Sequence, residues 1–131
     1  MTRPLPLADA DTAPFWEAAR RHELALQRCE RCARFVFPPK PGCPQCHGTL
    51  AWTALSGRGR IHSFCITRMP LVQGFEPPYV VAMVEIEEQP GCHLNANIVD
   101  CPVESVAIGM AVRVAFEERA PGVVIPQFRP A

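Results

Sequence analysis

The sequence predicts a mainly β chain with one short helix at its front, a small cysteine-held ribbon behind it, and a five-stranded closed barrel making up the rest. Three observations carry this. Two C-x2-C pairs stand at 29–32 and 43–46. Short apolar runs follow one another between residues 50 and 119. Helical spacing is confined to residues 11–22. The expected division is 1–23 for an arm and helix, 24–50 for the ribbon, and 51–131 for the barrel with a C-terminal tail.

Residues 1–13 are rich in Pro, Asp and Ala and read as an extended arm. In the helix after them Asp11 or Thr12 can act as cap, and Pro14 is tolerated in the first turn because its missing N–H had no partner there. Phe15, Trp16 and Ala19 share one face. Arg20, Arg21 and His22 suit the negative end of the helix dipole, or form a basic rim for an anion. Leu24 and Leu26, between Glu23 and Gln27, read as part of a short strand. The barrel strands are expected at Leu50–Leu55, Ile61–Thr67, Tyr79–Glu87, His93–Val99 and Val112–Phe116. A bulge or sharp bend is expected at Gly57 and Gly59. Pro70, Gly74, Pro77 and Pro78 mark a loop, and residues 120–131 read as a Pro-rich tail. Glu87-Glu88 reads as a solvated hairpin end.

The chain has 131 residues, 48% of them apolar and 20% charged, with formal net charge zero. That composition argues against disorder, and no run approaches the ~18 apolar residues of a membrane span. Met1-Thr2-Arg3-Pro4-Leu5-Pro6 lacks the apolar core of an export signal, so a cytoplasmic location is expected. Charge is uneven: residues 1–70 hold ten basic and five acidic side chains, residues 71–131 three and eight. The basic front half suggests an anionic partner. A dedicated nucleic-acid binder would be more basic overall.

The seven cysteines are an odd number, read as metal ligands plus free thiols. Cys29-x2-Cys32-x10-Cys43-x2-Cys46 can place four thiolates at ~2.3 Å around one tetrahedral zinc ion. All four positions are then filled by protein, so the ion is structural, replacing a core that this short segment cannot build. Iron in the same cage, carrying electrons, is the competing reading. His47 is placed outside the metal shell. Cys65, Cys92 and Cys101 read as buried inert thiols. His62 and His93 could serve as bases only if the fold brought them to a thiol. The catalytic motifs G-x-S-x-G and H-E-x-x-H are absent.

In order along the chain, Phe15-Trp16, Leu26-Gln27-Arg28-Cys29-Glu30-Arg31-Cys32, Phe37-Pro38-Pro39, Cys43-Pro44-Gln45-Cys46, Ser56-Gly57-Arg58-Gly59-Arg60-Ile61, Pro78-Tyr79-Val80-Val81-Ala82, Ile108-Gly109-Met110-Ala111-Val112 and Phe128-Arg129-Pro130 resemble the DUF35-type zinc-ribbon, OB-fold proteins that associate with acyl-CoA enzymes. The likeness covers nearly the whole chain. It implies a rubredoxin-like zinc ribbon and an OB-fold barrel. It also implies a non-catalytic accessory subunit of a thiolase-like enzyme (thiolase, condensing or retro-aldol), with a CoA thioester as bound ligand. The partner would supply the nucleophile. Arg20, Arg21, Arg58 and Arg60 are then candidates to meet CoA phosphates or the partner, and Phe75 and Tyr79 to line a path for the pantetheine arm or to meet the partner. Leu94-Asn95-Ala96-Asn97 is more polar than the corresponding family strand, and Cys65 replaces a residue that usually bears a hydroxyl. The alternative function is a single-stranded nucleic-acid-binding ribbon and barrel, opposed by the neutral charge and the few aromatics.

Overall fold

The computed structural model describes residues 4–131. The first three residues of the expected arm lie outside the described residues. Helix α1 spans Ala13–Arg20 with Thr12 at its N-cap, but the Thr12 side chain makes no cap bond. The turn before it is held by Asp9, whose Oδ1 accepts from the N–H of Asp11 (3.0 Å) and of Thr12 (2.8 Å). Those bonds, chiefly from Thr12, hold the Asp9 carboxyl below its usual value. Ala18 and Ala19 are buried as α1 packs on the strands Ala25–Cys29 and Val123–Pro130.

The ribbon is a three-stranded sheet, β2-β1-β3, of Ala25–Cys29 (β1), Phe35–Val36 (β2) and Leu50–Ala54 (β3). Leu50–Ala54 was expected in the barrel. It instead runs antiparallel to β1 along its whole length, from Ala25↔Ala54 to Cys29↔Leu50. The reason is local: β2 is two residues long, so β1 needs another neighbour to satisfy its backbone groups.

The barrel closes in the order β4-β5-β6-β8-β7, with β4 Arg58–Thr67, β5 Tyr79–Ile86, β6 His93–Ile98, β7 Ala111–Ala120 and β8 Val123–Pro130. Its fifth strand is the segment that reads as a Pro-rich tail. Two prolines argue against a central strand, but their positions resolve the conflict. The Phe128 carbonyl accepts from Val99 N–H beside β6 (2.8 Å). Backbone groups two residues away point the same way, so Pro126 and Pro130 turn their nitrogens to that same side. There β8 has a single register partner, the parallel pair Ile98↔Phe128, so no ladder donor is missing. A polar clasp completes the seam. Gln127 is buried; its Oε1 accepts from Asn97 N–H (2.9 Å), and Asn97 Nδ2 donates to the Val80 carbonyl (2.8 Å). The polar character of β6 thus serves closure.

The bend expected at Gly57 and Gly59 lies further on, as a register shift between Ile61 and Ser63. Gly57 and Gly59 serve close approach instead: a Cβ at Gly57 would stand 2.5 Å from Val114 Cγ1, and one at Gly59 2.5 Å from the Glu85 carbonyl oxygen. One continuous core holds Ile61, Val80, Val84, Leu94, Val112 and Phe128 of the barrel together with Leu24, Leu26 and Phe35 of the ribbon. Among the described residues no helix is long and apolar enough to cross a membrane.

Candidate metal centre and apolar groove

The four ribbon sulfurs converge, all within 4.8 Å of one another. Cys29 Sγ is 3.4 Å from Cys46 Sγ, and Cys32 Sγ is 3.7 Å from Cys43 Sγ. A tetrahedral zinc–sulfur cage with ~2.3 Å bonds needs sulfurs ~3.8 Å apart, so the cluster fits the ion closely. Two equivalent turns aim them. The N–H of Ala33 donates to the Cys29 carbonyl and the N–H of His47 to the Cys43 carbonyl, both at 2.9 Å. Ala33 and His47 each take a left-handed conformation, φ 63° and 62°. His47 therefore turns the chain and is not part of the sulfur cluster.

Backbone N–H groups of Cys32 and Arg31 reach Cys29 Sγ at 3.4 Å. They lower the Cys29 thiol to about 6, the Cys32 N–H first. The same kind of bond, led by Cys46 N–H, lowers Cys43. The Cys29 sulfur beside Cys46 pushes that thiol up to about 11. Crowded sulfurs of this kind can all be thiolates only around a cation. Gly48 leaves the room: a Cβ there would lie 2.8 Å from Cys29 Sγ and 3.3 Å from Cys46 Sγ. These four cysteines would hold the zinc, and what it supplies is a cross-link between the two turns.

Cys92 is buried, its thiol raised by desolvation. Cys65 corrects the expectation of buried inert thiols, because it is exposed. The register shift after Ile61 reverses the alternation of β4 and turns position 65 outward. Cys101 is half-buried.

A groove of about 510 Å³ opens where helix, ribbon, loop and barrel meet. Its walls include Phe15, Trp16, Phe37, Phe75, Tyr79 and Ile125, with Arg119 as a polar member. Phe75 and Tyr79 lie here, ring centroids 5.4 Å apart. Arg58 and Arg60 line a different depression, of about 400 Å³, with Glu85 and Glu87. Arg58 is paired with Glu87 (3.0 Å), and Arg60 donates to the Gly109 carbonyl (2.9 Å). Arg20 and Arg21 are exposed at the end of α1, Arg21 3.5 Å from Glu23. The six candidate contact residues thus fall on separate places. Glu87 and Glu88 are exposed as expected, yet both carboxylates hold Ser56. Arg119 gave no sequence signal. It is paired with Glu117 at 2.9 Å, while its Nε is buried with no hydrogen-bond partner.

Residues 16–52 match the family model for the rubredoxin-like zinc ribbon domain of ChsH2, and residues 52–117 match that for the ChsH2 C-terminal OB-fold domain. A DUF35 domain-containing scaffold protein of Methanothermobacter thermautotrophicus is 37% identical over 117 residues, covering 84% of this chain and 86% of that protein. The chain belongs to the DUF35 family. A probable enoyl-CoA hydratase alpha subunit of Thermomonospora curvata is 38% identical over 131 residues, but this DUF35 chain spans only 40% of its length. A solved Ltp2–ChsH2 (DUF35) aldolase superposes with TM-score 0.87 at 36% identity, covering 95% of this chain and 98% of that one. A DUF35 structure from Sulfolobus solfataricus, 12% identical with TM-score 0.67, shares the fold.

Proposed function

We propose that this DUF35 chain is a non-catalytic accessory subunit of a thiolase-like enzyme acting on acyl-CoA. It would support assembly of the complex and help to hold the CoA thioester. The groove carries the reading. Its volume and apolar, aromatic lining suit the uncharged pantetheine arm and its acyl group, within the ~300–1,000 Å³ common for small-molecule sites. Arg119 adds one polar handle to the wall, a guanidinium of the kind that can donate to an amide or thioester oxygen. Zinc, held by Cys29, Cys32, Cys43 and Cys46, would stiffen the ribbon that contributes Phe37 to the wall. The names of the relatives point the same way: a scaffold protein, a hydratase alpha subunit and an aldolase.

The test is co-expression with a candidate thiolase-like partner from the same organism. The two should elute as one complex, and Arg119→Met should weaken acyl-CoA binding by about ten-fold while the complex persists. Separate elution of the two proteins, with the thiolase fully active alone, would overturn the reading.

A further inference from the structure

A second group of metal-ligating side chains comes together far along the chain from the ribbon cysteines. His62 on β4, Glu85 on β5 and His93 on β6 each offer one ligand atom, and these atoms lie within 4.8 Å of one another. Two features of the backbone and one ring contact place them. Glu85 and His93 are direct register partners across β5 and β6. His62 is the extra residue of the β4 bulge between Ile61 and Ser63, and such bulges re-aim a side chain. The two imidazoles stack with centroids 4.2 Å apart and planes 23° from parallel.

Two further observations concern the ligating side chains. His93 Nε2 is buried and has no hydrogen-bond partner. A buried unpaired nitrogen is costly and calls for an occupant. Glu85 Oε1 accepts from the N–H of Gly91 at 3.2 Å. That bond orients the carboxylate and leaves its second oxygen available, as supporting bonds do at metal sites. The nearest basic neighbour by register is Arg60, opposite Glu85, and its Nη1 is engaged by the Gly109 carbonyl.

We propose that His62, Glu85 and His93 form a second divalent-metal site on the outer wall of the barrel. Two imidazoles and one carboxylate suit zinc or another late first-row divalent ion, and disfavour calcium and magnesium, which take oxygen ligands. The site differs in kind from the ribbon cage. Three protein ligands leave at least one coordination position open, and His62 is exposed, so that position is reachable from solvent.

The test uses the tag-free full chain carrying its ribbon zinc. Added Zn2+, followed by calorimetry, should bind as one further equivalent. His62→Asn, Glu85→Gln and His93→Gln should each lower that affinity by about ten-fold or more, with the ribbon zinc and the far-ultraviolet spectrum unchanged. Co2+ used in place of the added Zn2+ should give visible ligand-field bands without sulfur-to-metal charge transfer. His62 is exposed, so His62→Asn keeps the test open if His93→Gln fails to fold. No further equivalent, binding untouched by His62→Asn and Glu85→Gln, or thiolate bands from the added Co2+ would each overturn the proposal.

Discussion

The ribbon and the barrel are both small β sheets, yet they hold together by different means. In the barrel, Ile61, Val80, Val84, Val112 and Phe128 are nearly without solvent contact and pack on one another. In the ribbon, the buried cysteines Cys29 and Cys43 lie outside that cluster, and four sulfurs occupy the place where a core would sit. Leu24, Leu26 and Phe35 carry the ribbon into the shared interior. One sheet is thus built around apolar contact and the other around a point that needs a cation, and the two are joined by shared apolar contacts and by the hydrogen bonds between Gln89 and Phe35.

The strongest way to break this comparison is to empty the cage. Cys43→Ser, or chelation of the wild type, should cost the bound zinc, and hydrogen exchange should show the amides of β1, β2 and β3 losing protection while those of β4 to β8 keep most of theirs. Equal loss in both halves would mean that the barrel has no independent order. The converse is Phe128→Ala. It should destabilise the chain by about 3–5 kcal/mol in urea unfolding, with one zinc still bound in the folded baseline.

Smaller changes sharpen the junction. Gln89, in the turn between β5 and β6, accepts from Phe35 N–H with its Oε1 (2.7 Å) and donates from its Nε2 to the Phe35 carbonyl (2.9 Å). Gln89→Ala leaves both groups of a buried residue unpaired and should cost about 1–3 kcal/mol in the same assay. The smallest effect is expected at Glu87. Arg58 beside it holds its carboxyl below the usual 4.5. A lowered folded value means that the stabilisation is present above 4.5 and is lost as pH falls through the lowered value. Thermal midpoints of wild type and Glu87→Gln should therefore differ slightly at neutral pH and converge in acid.

Much of this architecture is legible from residue patterns. The cysteine spacing announces the ribbon, and the alternation of Val80, Ala82, Val84 and Ile86 announces β5. What escapes is pairing across distance. The apolar content of Leu50–Ala54 is the same whether it pairs with β1 or joins the barrel, and only the shortness of β2 decides it. Val123–Pro130 hides as a tail because proline is judged by its missing donor, whereas the partner strand settles whether that donor matters. Cys65 is misjudged because a one-residue bulge inverts every later position of its strand. The groove residue Arg119 and the His62–His93 stack arise from segments that nothing local links.

The Gln89 carboxamide has a further effect on the ribbon's outer margin. Phe35 lies on one of the two outer strands of its sheet, and a bare margin of that sort recruits strands from other molecules. Here one side chain occupies the vacancy with the same donor and acceptor that a peptide would present, and it offers nothing beyond itself for another chain to extend. The hairpin from which it reaches therefore caps the β2 margin, and a ribbon excised from its barrel would carry that margin bare.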